Sequence, residues 1–150
     1  MSYRKIIQTF PHKPVDLYSM IVDVESYPLF VPHCAGVIVH GKTDEEILAT
    51  MCIEYITPIK RFKKSYISSI KLFPIDYSIN ITNADSSVFK NLNSTWNFKP
   101  CIGGTSVTYE ISFDMHNPIL NVITSSLFMK YSENMVKVFA RHARRTLSVI

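Results

Sequence analysis

The sequence predicts an α+β fold: one antiparallel sheet covered by a long C-terminal helix, with two short helices after the first strand. Three observations carry this reading. Apolar and polar residues alternate with period two through the middle of the chain, most cleanly where Val107, Tyr109, Ile111, Phe113 and Met115 alternate with Ser106, Thr108, Glu110, Ser112 and Asp114. Two short helical stretches punctuated by prolines follow the first strand. A final run with no glycine or proline in its interior shows a three-four apolar stripe. A sheet with one apolar face needs a cover, and the terminal helix can supply it. A sheet curled around that helix leaves room for a cavity between them.

Each element has its own local reason. SYRKIIQTF is rich in strand formers and stops at Pro11, so it reads as the first strand. In KPVDLYSMIVDV, Pro14 suits a first helical turn, where its missing N–H is harmless, and Val15, Tyr18, Met20, Ile21 and Val22 make a mostly apolar stripe. SYPLFVP reads as a second short helix or a tight loop, because Pro28 and Pro32 forbid a long one. Gly36 to His40 is brief and apolar, and Gly41 to Glu45 carries turn residues. Ile47, Ala49, Met51, Ile53 and Tyr55 then alternate with Leu48, Thr50, Cys52 and Glu54 as far as Thr57 and Pro58. Phe62 to Ile70 and Asp76 to Thr82 are two further strands, with a break at Pro74 between them and a turn at Asn83 to Ser87. Leu92, Ser94, Trp96 and Phe98 share one strand face, opposite Asn91, Asn93, Thr95 and Asn97. Gly103-Gly104 joins this strand to the next in a hairpin, where positive φ is cheap for glycine. The last helix is predicted from Pro118 to Ser148, its stripe traced by Leu120, Ile123, Leu127, Tyr131, Met135, Val138 or Phe139, His142 and Thr146 or Leu147. Lys137, Arg141, His142, Arg144 and Arg145 fall in its final turns, where cations suit the negative end of the helix dipole.

At 150 residues and 47% hydrophobic content, the chain is expected to form one domain spanning 1–150. The net charge of +4 and pI near 9.0 permit contact with RNA, a ribosome or an anionic membrane face; no DNA partner is expected. Cys34, Cys52 and Cys101 are widely spaced, with no CxxC pair, which favours free thiols in a reducing compartment over a disulfide framework. Tyr3, Arg4, Lys5 and Gln8 interrupt any signal-peptide core, and no stretch reaches about eighteen continuous apolar residues. A cytoplasmic protein is expected, with peripheral contact at an inner membrane left open.

The sequence offers little for catalysis or metal binding. It has no GxSxG, no HExxH and no phosphate-cradling glycine loop, and Gly103-Gly104 reads as a hairpin turn. His33 and Cys34 are adjacent, but sequence neighbours usually diverge, and a packed cysteine is the simpler reading. The five histidines lack metal-ligand spacing. Glu54 and Glu110 sit on strands and face either a pocket or water, with water the default. No catalytic or metal residues are assigned. Two basic groups stand out: Lys60, Arg61, Lys63 and Lys64, and the helical set Lys137, Arg141, Arg144 and Arg145. They fit either contact with a ribosome or other anionic surface, or simple solvation with a helix-end effect. Trp96, Phe62, Tyr66 and Tyr109 read as core by default, with ligand stacking as the alternative.

The run DVESYPLFVPHC, with its aspartate, tyrosine-proline, phenylalanine, proline and cysteine, resembles a signature of the coenzyme Q-binding START-like family, which includes RatA-type ribosome-association proteins of bacteria. FKNLNSTWNFKP, GGTSVTYEISFDMHNPI and MVKVFARHARR resemble later parts of the same family in the same order, so the resemblance covers nearly the whole chain. The chain departs from it at Ser87-Val88-Phe89, where family members often carry glycine-proline-phenylalanine; Ser87 can still form the turn there, and Val88 is expected simply to extend the strand. The resemblance implies a helix-grip fold, a curved antiparallel sheet wrapping the C-terminal helix with a hydrophobic cavity between; it does not imply a defined catalytic triad, and no covalent cofactor is expected. It further implies either a carrier or chaperone for an apolar ligand, with ubiquinone preferred and a role in respiration, or association with the large ribosomal subunit that blocks subunit joining. A polyketide cyclase-like enzyme is a third reading, resting on shared architecture alone. On the carrier reading Tyr27, Phe30, Met51, Phe62, Trp96, Met135 and Phe139 are the expected ligand contacts. On the ribosome reading the two basic groups make the contact. DVESYPLFVPHC itself is expected to be a pocket rim or lid, with Tyr27, Phe30 and Val31 wedged inward, Asp23 holding the end of the first helix or nearby amides, and Cys34 packed beneath.

Overall fold

In the computed structural model the described residues are 2–56, 58–119, 121–122 and 128–150. The chain runs β1 (Ser2–Phe10), α1 (Pro14–Val22), a 3-10 helix (Val24–Leu29), then β2 (Cys34–Lys42), β3 (Glu46–Ile56), β4 (Arg61–Phe73), β5 (Ser78–Asn83), β6 (Phe89–Cys101) and β7 (Gly104–Met115), and ends in α2 (Phe128–Thr146). The strands form one antiparallel sheet in the order β1-β7-β6-β5-β4-β3-β2, curved around α2 in the helix-grip arrangement. Every neighbour pair except β1 and β7 is consecutive in sequence, so hairpins build the sheet and one long connection through α1 brings β1 to its far edge.

The period-two pattern becomes the two faces of this sheet. In β7, Val107, Tyr109, Ile111, Phe113 and Met115 are buried, while the residues between them are half-buried. Leu92, Ser94, Trp96 and Phe98 of β6 and Ile47, Ala49 and Met51 of β3 share the concave side. The helix buries Ser132, Met135, Val136, Phe139 and Ala143 against it. Each fully buried large apolar side chain contributes about 1.5–3 kcal/mol.

Three local departures from the sequence reading have physical causes. β2 begins at Cys34 and runs to Lys42, through the stretch expected to turn at Gly41; register shifts between Cys34 and Gly36 and between Val39 and Gly41 absorb the irregularity, and the turn falls at Thr43, whose backbone N–H and hydroxyl both donate to the Glu46 carbonyl. Val88 does not extend β6. Its buried side chain and its carbonyl, which accepts from His116 N–H at 2.9 Å, close the turn before Phe89. The last helix ends at Thr146 and not at Ser148, because the chain must leave the axis there for the Ser148 carbonyl to accept from His12 Nδ1 at 2.9 Å and for Ile150 N–H to reach the Pro11 carbonyl at 3.0 Å. At its other end, 118–119 and 121–122 are helical, while Leu120, Ile123 and Leu127 lie outside the described residues.

The Pro11–His12 corner ties three parts of the chain together. Thr105 Oγ1 donates to the His12 carbonyl at 2.7 Å, and both residues are fully buried. Gly104 has φ +137°, and a Cβ there would lie 2.1 Å from the Phe10 carbonyl oxygen, so no other residue fits.

Candidate functional site

The 3-10 helix and the loop after it form a lid over one end of the sheet. Pro28 and Pro32 keep the segment short, and the chain reverses at His33, whose φ of +64° is rare for a residue with a Cβ. Contacts with Glu54 help hold that strained residue: His33 Nδ1 donates to the Glu54 carbonyl at 3.1 Å, and Glu54 N–H donates to the His33 carbonyl at 2.9 Å. Asp23 accepts from the Ser26 hydroxyl at 2.6 Å; its carboxylate thus braces the lid and not the amides at the helix end. Tyr27 is buried and donates its hydroxyl to the Ile21 carbonyl. Phe30 meets Phe139 edge-on at 5.1 Å and stacks on His142 at 3.8 Å. The lid is thus wedged mainly against α2.

Beneath it lies an apolar cavity of about 120 Å³. Its wall joins two aromatic clusters. In one, Trp96 sits 4.4 Å from Tyr109 and 4.9 Å from Phe139. In the other, Phe89 meets Tyr66 at 5.0 Å and Phe113 at 6.0 Å. Met51, Ile53, Ile81, Leu92, Ile111 and Met135 fill the space between, and Val31 to Cys34 supply the lip. The volume sets a scale. A dry cavity of about 150 Å³ accepts benzene, whereas drug-sized ligands occupy pockets of about 300–1,000 Å³. At about 120 Å³ the cavity is smaller than either, so a ligand larger than a small ring must displace the lid or emerge past it.

Of the seven residues expected to touch a ligand, Tyr27, Met51, Trp96, Met135 and Phe139 line this cavity. Phe30 stands behind the lid on His142, and Phe62 is buried away from the cavity, with Lys60 Nζ 5.2 Å above its ring. The sequence reading left Tyr66 and Tyr109 as core and did not nominate Ile53, Leu92, Ile111 or Phe113. Their shared face in the period-two pattern was the available signal, since each lies on the same side as Met51 or Trp96.

The polar groups of the wall are few. Burial pushes the Tyr109 phenol up, reinforced by Tyr66, so it stays a neutral O–H. Burial raises Tyr27 in the same way, with Cys34, Tyr109 and Asp23 adding to it. The Cys34 thiol is also raised, chiefly by burial, and its Sγ faces the Gly36 carbonyl at 3.9 Å. His33 and Cys34 thus point to different partners and form no nucleophilic pair. Among the described lining residues there is no carboxylate and no lysine. Glu110 accepts from Tyr3 at 2.8 Å and Glu54 lies 3.8 Å from Arg61, both on the outer face of the sheet. No group of three His, Cys, Asp or Glu able to hold a metal ion occurs among the described residues.

The basic residues lie outside the cavity. Lys137, Arg141, Arg144 and Arg145 occupy the exposed side of α2, and Lys60, Arg61, Lys63 and Lys64 surround the tip of the β3–β4 hairpin. No helix among the described residues is long and apolar enough to cross a membrane.

A sheet curved around a helix, with an apolar chamber between them and a short lid across its end, defines a START-like helix-grip protein. Accordingly, the chain belongs to the family described as polyketide cyclase / dehydrase and lipid transport, whose model matches residues 10–140. It is 29% identical over 140 residues to the ribosome association toxin RatA of Rickettsia prowazekii, covering 91% of this chain and 92% of that one. It is 24% identical over 133 residues to a mitochondrial coenzyme Q-binding protein COQ10 homolog B of Xenopus laevis, covering 86% of this chain and 52% of that one. Among solved structures, the Zhui aromatase/cyclase from Streptomyces superposes with a TM-score of 0.81 at 10% identity, covering 96% of this chain and 94% of that one, a likeness of fold alone.

Proposed function

We propose that this protein is a non-enzymatic binding protein that holds the ring of an apolar ligand in the cavity beneath the lid, with ubiquinone the preferred ligand. The observation that carries the proposal is the partly open, aromatic-walled chamber with Tyr109, a neutral phenol, among its lining residues. A ubiquinone head, which with its methyl and methoxy groups is larger than the cavity, enters by displacing the lid; the Tyr109 O–H can then donate to a quinone carbonyl, and the isoprenoid tail leaves past the lip at Val31 to Cys34. Tail atoms that pack against apolar surface add about 25 cal/mol per Å². The likeness to the coenzyme Q-binding relative supports the choice of ligand. The lack of a carboxylate among the described lining residues favours holding over transformation. Native mass spectrometry of gently purified protein, followed by organic extraction, tests the proposal. A co-purifying quinone near one per chain is the expected result, and a co-purifying polyketide-like aromatic would instead favour the cyclase reading.

A second reading rests on a different surface. Exposed Arg141, Arg144 and Arg145, with Lys137, give α2 a basic outer face, and the most extensive sequence likeness reported above is to a ribosome association toxin. On this reading the helix attaches to the large ribosomal subunit and hinders subunit joining. Attachment should weaken steeply with salt, and Arg144→Glu/Arg145→Glu should strip it. Undiminished cosedimentation of that variant with ribosomes would remove α2 as the anchor. The two readings use different surfaces and can both hold.

A further inference from the structure

We infer that the tip of the β3–β4 hairpin is a membrane-docking element that dips end-on into an anionic lipid surface. The tip presents bare apolar side chains: Ile56 is 70% exposed and Ile59 is 96% exposed, with exposed Pro58 between them. Exposed isoleucines at the end of a two-stranded ribbon are unfavourable in water and gain by entering the acyl boundary of a bilayer. Cations ring the same tip. The segment 54–64 carries Lys60, Arg61, Lys63 and Lys64 against the single carboxylate of Glu54, a local net charge of +3.

The register explains why the approach is end-on. Glu54 pairs with Lys63, and Ile53 pairs with Lys64, so the two lysines project from opposite faces of the ribbon. Arg61, opposite Ile56, joins Lys63 on the outer face. A surface that met only one face would leave cations of the other unused. A surface met by the tip engages both sets, with the isoleucines leading.

The hairpin also starts at the wall of the cavity. Ile53 lines the chamber, and Ile56 lies three residues further along the same strand, about 10 Å beyond it and on the outer face with Arg61. Lys64 stands two residues from the cavity-lining Tyr66, and the lip residue His33 is hydrogen-bonded to Glu54 at the base of the hairpin. Docking through this tip would bring the lip close to the lipid interface. The inference does not depend on what the cavity holds. An RNA surface would also attract the cations, but it offers no apolar phase for Ile56 and Ile59, so the combination favours lipid.

Flotation of the full chain with vesicles of phosphatidylcholine, with and without phosphatidylglycerol, tests the inference. The wild type should float with the phosphatidylglycerol vesicles and not with phosphatidylcholine alone. Ile56→Ser/Ile59→Ser should lower the partition coefficient at least about tenfold. Lys63→Ser/Lys64→Ser should lower it about 25-fold, since each cation near an anionic surface is worth about fivefold. Both pairs are exposed, so the melting temperature serves as the control for folding. Absence of flotation by the wild type, or flotation of Ile56→Ser/Ile59→Ser equal to wild type, would overturn the inference. If that isoleucine variant also cosedimented normally with ribosomes while the lysine variant did not, the hairpin would belong to RNA.

Discussion

The ring of Phe30 lies flat on the imidazole of His142, with centroids 3.8 Å apart and planes within 6° of parallel. This pair latches the lid to the last turns of α2, one helical turn beyond the Phe30–Phe139 contact. Phe30→Ala should leave the sheet intact but loosen the lid, at a stability cost of about 1–2 kcal/mol for a half-buried ring. Hydrogen exchange of the 27–31 amides should accelerate while that of β6 and β7 is unchanged. Unaltered exchange across 27–31 would show that Tyr27 alone holds the lid.

The same contact makes stability depend on pH. Burial of the ring holds the His142 imidazole below its ordinary range, and Arg145 adds to this while Asp23, at the start of the lid, opposes it. The unfolded imidazole binds its proton near pH 6.5 and the folded one only at lower pH. In that window the unfolded state binds more protons, so stability rises with pH and is lost as pH falls. Between about pH 7.5 and about pH 5.5 the wild type should lose more in melting temperature than His142→Phe, which retains the stack without the titration. Parallel losses in both proteins would exclude His142 as the source.

Gly104→Ala should be severely destabilising, by at least about 2–4 kcal/mol, because the new Cβ would meet the Phe10 carbonyl in a backbone conformation that L-residues avoid. Gly41→Ala, where a Cβ would meet nothing within 4 Å, is the control and should cost far less. Comparable chemical denaturation midpoints for the two would contradict the tight β7–Phe10 approach.

Met135→Trp should close the cavity while keeping the fold. Met135 is buried in the cavity wall, so a larger ring there occupies the ligand's space at an overpacking cost of about 1–3 kcal/mol. Native mass spectrometry should show the variant folded and free of ligand. A folded variant that still carries quinone at the wild-type level would place the ligand elsewhere.

The sheet was legible wherever one face is buried and the other is not. Val107 to Met115 and Leu92 to Phe98 alternate because each residue's fate is decided by its face, and the structure buries the expected members. β2 was harder to bound because its glycines sit at register shifts, and a bulge breaks the period that reveals a strand. The stripe of α2 was legible at Met135 and Phe139, but Ser132, Val136 and Ala143 were missed; Ser132 and Ala143 are polar or small and carry little apolar signal even where close packing requires them, and Val136 sits beside Met135 on the flank of the traced stripe. The cavity itself was less legible. Phe62 and Tyr66 lie on one face of one strand, yet only Tyr66 lines the chamber, and which of the two does so depends on how α2 and the lid cross the sheet. A strand pattern gives the face of a side chain, but not its position along a three-dimensional cavity.

The measurement that tests the central claim most directly is a titration of Trp96 fluorescence with a short-tailed ubiquinone. Trp96 is the sole tryptophan and stands in the cavity wall, so its emission reports on that chamber alone. The account predicts saturable quenching with one quinone per chain, abolished when the cavity is narrowed by Met51→Phe. Quenching that grows linearly without saturation, at the efficiency shown toward a buried tryptophan in an unrelated protein, would contradict it.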